Sequence, residues 1–134
     1  MAAHFVVLES VLVDVSNAIR IERAHELDAW LAANAGTGAR EVTVAIRKVS
    51  TGRATVRLVE LQEVALCHGW VDTQTQRIDD QWYAIRFVPR SRRSTWGPTN
   101  RAMAARLLAA GRITDAGLPT LPADLVPDGA GEKL

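Results

Sequence analysis

The sequence predicts a single α+β domain: a small antiparallel or mixed sheet built on a β-hairpin near residues 71–88, packed by helices near 25–34, 58–68 and 99–110. Three observations predict it. Helical and strand periodicities are interspersed along the chain rather than segregated. Two strand-like runs are separated by the short turn Asp79-Asp80, which makes a tight antiparallel pair. At 134 residues, 48% of them apolar, the chain is long enough to bury one core.

Residues 3–15 are apolar and rich in β-branched side chains, which suits a strand or an ordered arm over 1–16. Asn17–Arg23 extends it. His25–Asn34 is read as a helix, with Leu27, Trp30 and Leu31 at i, i+3 and i+4, stopped by Gly36 and Gly38. Glu41–Val49 alternates, Val42, Val44 and Ile46 against Thr43, Ala45 and Arg47, as a half-buried strand does. Ser50–Arg53 is a turn. Leu58–His68 is a helix apolar on two sides: Leu58, Leu61 and Ala65 form one face, Val59 and Leu66 another. Gly69 ends it. Val71–Ile78 and Trp82–Val88 form the hairpin, its register open, and Pro89 closes the second strand. Gly97-Pro98-Thr99 starts a helix whose apolar face is Met103, Leu107 and Ala110, capped by Gly111. Thr114 caps a further short turn. The domain is expected to end at 118, with 119–134 a proline- and glycine-containing mobile tail.

A single cysteine, Cys67, excludes an internal disulfide and any cysteine-based zinc site. The N-terminus lacks the basic start and cleavage site of a secretory signal, and no apolar window is long enough to span a membrane. A cytoplasmic protein is the expectation. The basic residues are 14 Arg and 2 Lys, a ratio that codon usage alone can produce. The clustering of charge is harder to explain that way. From Gln81 to Thr114 there are seven arginines (86, 90, 92, 93, 101, 106 and 112) and no acid, in a chain whose net charge is only +1.

The same region holds Trp70, Trp82, Trp96 and Tyr83. These aromatics read either as core under a helix or as the wall of a pocket. Asp72 and Arg86 meet across the hairpin, as a structural ion pair or as a polar pocket in which Arg86 and Arg90 hold an anion and Asp72 orients it. Asn100 completes that pocket or caps the helix. Arg90, Arg92, Arg93 and Arg101 are the candidates for an anion or nucleic-acid contact, with a solvated loop as the alternative. No nucleic-acid-binding signature accompanies them. Cys67-His68 does not make a nucleophile with its base, because helical neighbours diverge by about 100°. Glu60 and Glu63 lie near the thiol in helical phase. No spacing of His4, His25 or His68 supports a metal site, and no cofactor or catalytic residue is expected.

Ala65-Leu66-Cys67, Gly69-Trp70-Val71-Asp72, Tyr83, Arg86-Phe87-Val88-Pro89-Arg90, Ser94-Thr95-Trp96, Asn100, Gly111-Arg112-Ile113-Thr114 and Ala116-Gly117-Leu118 occur in the order and spacing of a known pattern. On these pieces the chain resembles the YdeI/OmpD-associated family, also called a bacteriocin-protection family, over roughly 17–118. His68 replaces an aromatic of that pattern, Arg57 a helix-capping Ser or Thr, and Gly97-Pro98 a serine-containing helix start. The resemblance implies a stress-response or bacteriocin-protection binding protein and no reaction. Three functions follow as expectations. The first is a non-enzymatic domain binding a small anion or a protein partner through 70–100. The second is a nucleic-acid or anionic-polymer binder using the arginine cluster. The third is a small-molecule enzyme with an Asp72/Arg86 pocket. The chain is expected as a monomer, or as a homodimer through an exposed N-terminal strand.

Overall fold

A computed structural model describes residues 5–8, 11–91 and 95–126. Its centre is a four-stranded mixed sheet carried by three helices, the α+β architecture read from the sequence. The strands are β1 (Phe5–Leu8), β2 (Val11–Asp14), β3 (Ile19–Arg20), β4 (Val42–Arg47), β5 (Trp70–Arg77) and β6 (Trp82–Pro89). The helices are α1 (Ala24–Ala33), α2 (Leu58–Cys67) and α3 (Pro98–Ala109). The order in the sheet is β3-β4-β6-β5, with β3 parallel to β4 and the other pairs antiparallel.

The N-terminal apolar run does not form one strand. β1 and β2 pair with each other, Phe5 opposite Asp14 and Leu8 opposite Val11, as a separate two-stranded sheet. Asp14 accepts hydrogen bonds from Ser16 N and Oγ and from Asn17 Nδ2, which turns the chain away before β3.

The hairpin register is set from its turn. Asp79 Oδ1 accepts from the backbone N–H of Gln81 and Trp82 at 2.8 and 2.9 Å. Arg77 then faces Tyr83 and Trp70 faces Pro89, with a bulge between Asp72 and Gln74. Alternation along β4 and β6 sends Val42, Val44, Ile46, Ile85 and Phe87 toward α1 and α2, where they meet Leu27, Leu31, Leu61 and Val64. Phe87, Leu27 and Leu61 are wholly buried, and each such side chain contributes about 1.5–3 kcal/mol by leaving water.

α2 is apolar on two sides, as its sequence predicts, but its second side is Leu66 and Cys67; Val59 faces solvent. Leu66 and Cys67 pack on Ala104, Leu107 and Leu121. Ala110, expected on the buried face of α3, is exposed, and Ala104 takes that place because it lies one turn from Leu107. Arg57 and Arg23 offer no side-chain acceptor as N-caps. Glu60 and Glu26 supply the other half of a capping box, accepting from Arg57 N at 2.7 Å and Arg23 N at 2.8 Å.

The domain does not stop at 118. Residues 118–120 and 123–125 form 3₁₀ turns, Leu121 is buried, and Leu125 and Val126 pack on the α2–α3 cluster. The rest of the expected tail, 127–134, lies outside the described residues. Among the described residues no helix is long and apolar enough to cross a membrane.

Candidate functional site

The C-terminal end of α2 organises a candidate site. α2 ends at His68, and Gly69 follows at φ +81°, a left-handed conformation that favours glycine. A Cβ at Gly69 would also stand 2.9 Å from Thr120 Cγ2 and 3.1 Å from the Ala116 carbonyl. The orphan carbonyl of Cys67 is taken up from across the fold: Thr114 N and Thr114 Oγ1 donate to it at 2.9 and 2.8 Å. Gly117 lies so close that a Cβ there would sit 2.1 Å from the same oxygen. The late stretch Gly111–Leu118 is thus the seat on which the Ala65–Asp72 stretch rests.

This seat leaves a cleft of about 210 Å³ lined by Asn34, Ala39, His68, Trp70, Arg90 and Thr120, among others. Trp70 is 7% exposed and meets Trp30 edge to face, centroids 5.8 Å apart and planes at 88°. His68 is 6% exposed, and its Nε2 lies 2.7 Å from Asp28 Oδ1 on α1, the ring N–H donating to the carboxylate. Arg90 extends the ladder past β6, its N–H donating to Gly69 O at 2.7 Å. Its guanidinium stacks on Trp96, Cζ 4.0 Å from the ring centroid. Burial pushes the Arg90 guanidinium below its ordinary value, and the Asp72 carboxylate opposes that shift. Arg90 Nε is shut off from solvent with no hydrogen-bond partner.

Four of the seven predicted ligand residues therefore come together, Arg90 with Trp70 in the cleft wall, Trp96 beneath the guanidinium, and Asp72 within electrostatic reach. Three do not join them. Arg86 and Asp72 do not make one pocket. Asp72 stands opposite Phe87 in the ladder and accepts from Gln62 Nε2 of α2 at 3.3 Å, so it faces the helices. Arg86, one residue from Phe87, faces the other way and bonds Glu41 at 2.7 Å. Its surroundings are a separate cleft of about 420 Å³ shared with Asp14, Asn17, Ile19 and Trp30. Tyr83 sits at the far end of the hairpin against the core, where burial raises its phenol. Asn100 is exposed in the first turn of α3, and the N-cap there is Gly97.

The acid-free arginine stretch is not acid-free in space. Arg106 and Arg112 both reach Glu63, at 2.7 and 3.6 Å, and Arg101 pairs with Asp124. Arg86 has Glu41. Arg92 and Arg93 lie outside the described residues. The sequence-based reading missed the His68–Asp28 pair. The available signal was that a histidine at a buried aromatic position needs a polar partner. Cys67 is buried, and burial raises its thiol, with Asp28 and Glu63 adding to the effect and Arg112 and Arg106 opposing it. Among the described residues no group of three His, Cys, Asp or Glu is arranged to hold a metal.

The fold is that of a small α+β domain. The chain belongs to a family described as a domain of unknown function (DUF8412), whose model matches residues 19–120. No curated protein and no solved structure matches it.

Proposed function

We propose that this protein is a non-enzymatic, cytoplasmic binding domain of the stress-response type implied by its YdeI/OmpD-like pieces, and that it holds a small anion in the Arg90 cleft. One observation carries the reading. Arg90 is a half-buried cation held by Trp96, with no acid in ion-pair contact among the described residues and an orphaned Nε. A desolvated guanidinium fixed in one geometry is a receptor for a carboxylate or phosphate-type oxyanion, which supplies the missing acceptors. Trp70 and His68 supply an aromatic and a polar wall. The cleft, about 210 Å³, is of a size to take a small organic acid.

The test is a tryptophan-fluorescence titration with phosphate, acetate and succinate at low and high salt. Trp96 and Trp70 both lie at the site and report on it. A saturable, salt-tolerant change that is lost in Arg90→Gln and kept in Arg86→Gln is expected. A change that survives Arg90→Gln removes this cleft as the site.

A further inference from the structure

The sheet face turned away from α1 and α2 carries a second cationic arrangement. Ladder pairing places Thr43, Arg86 and Gln74 in one row across this face, Arg20, Ala45, Ala84 and Gln76 in the next, and Arg47 beside Trp82 in a third. No acid stands at any of these positions. Trp82 is 6% exposed, and the guanidiniums of Arg20 and Arg47 both lie on it, their Cζ atoms 4.7 and 4.5 Å from the ring centroid.

Two like charges drawn to one indole repel each other, and an anion lying between or over them offsets that repulsion. Among the described residues neither arginine has an acid within ion-pair distance. Arg47 Nη1 donates to the neutral Gln81 Oε1 at 3.2 Å. Arg20 acts at longer range on Asp79, whose Oδ1 is already bonded to the Gln81 and Trp82 N–H groups. Gln74 Oε1, in the Arg86 row, is buried with no partner. The face therefore offers two unneutralised guanidiniums, an aromatic base beneath them, and the Gln76 amide and Thr43 hydroxyl alongside.

We propose that this face binds a single-stranded nucleic acid. Arg20 and Arg47 contact its phosphates, its bases stack on the indole-anchored guanidinium planes, and the Gln76 amide meets base edges. From Arg47 to Thr43 the strand runs about 13 Å, room for a short oligonucleotide rather than a duplex groove. The surface is separate from the Arg90 cleft, and its two free arginines, Arg20 and Arg47, lie outside the acid-free stretch, whose described arginines are mostly acid-paired.

The experiment is fluorescence anisotropy with labelled ten-nucleotide oligo-dT and oligo-U across a salt series, alongside NMR of the Trp82 indole N–H. Binding that falls at least about tenfold in Arg20→Gln/Arg47→Gln, with a salt slope reduced by about 1.4 for two lost phosphates, is expected. The thermal midpoint of that variant checks its fold, and Arg20→Lys/Arg47→Lys, which keeps the charge, is expected to retain part of the affinity. Arg90→Gln is expected to bind the oligonucleotides as the parent does. Absence of oligonucleotide binding overturns the proposal, as does affinity unchanged by the double glutamine variant. A Trp82 shift produced by inorganic phosphate but by neither oligonucleotide overturns it too, and leaves a phosphate site.

Discussion

His68 and Asp28 illustrate how one side chain sets the terms for another. The imidazole is 6% exposed, whereas the Asp28 side chain is 57% exposed. Removing the carboxylate strands a buried ring nitrogen; removing the imidazole returns the carboxylate to water. Asp28→Ala is therefore expected to cost about 1–2 kcal/mol, and His68→Phe to cost less. Denaturant unfolding of the two variants and their double checks the asymmetry, and a larger loss in His68→Phe contradicts it. The same reasoning explains Arg90. It is held by an indole rather than an acid, so its charge remains available to a ligand. At Gly69 the constraint is both conformational and steric, which makes it the pivot between α2 and β5.

The hairpin is the element on which both proposed sites depend. β6 carries Trp82 at one end and leads into Arg90 at the other, so its register places both. Asp79 sets that register. Its two backbone N–H bonds hold its carboxyl below the usual range, with burial opposing and Arg20 and Arg77 adding. A depressed carboxyl stabilises the fold above its unfolded value, about 3.9. That contribution is lost as pH falls through the lower folded value. Thermal melts from pH 6 to pH 2 are expected to show a loss of stability that is shallower in Asp79→Asn. Equal pH profiles for parent and variant exclude this role for the turn. Glu26, held low by the Arg23 and Glu22 N–H groups, contributes with the same sign at the start of α1.

The molecule as a whole closes on its C-terminal segment. Leu121 completes the cluster of Leu66, Cys67, Ala104 and Leu107, and the Gly111–Leu118 stretch receives the end of α2. Cys67 is buried by this arrangement, and its thiol is raised by burial. In the full chain it is expected to be inert to a thiol reagent at neutral pH, and to react after truncation at Leu118. Equal reaction rates in the two chains, both folded by circular dichroism, place no weight on residues 119–126.

Local pattern determined much of this protein. The 2.0 and 3.6 periodicities identified β4, β6 and all three helices, because side-chain direction follows from backbone geometry over a few residues. Composition and order also marked the 70–100 region, where Trp70, Asp72, Arg90 and Trp96 do assemble. Tertiary structure alone decided which charges are free. Arg86 finds Glu41 across 45 positions and Arg106 finds Glu63 across 43, separations at which no sequence window registers a partner. A one-residue offset in the ladder sends Asp72 and Arg86 to opposite faces, a fact set by the register and the bulge. Arg20 and Arg47, unremarkable in the sequence, become neighbours only because β3 and β6 flank β4 in the sheet. Charge acts through space, and only the fold determines which residues share it.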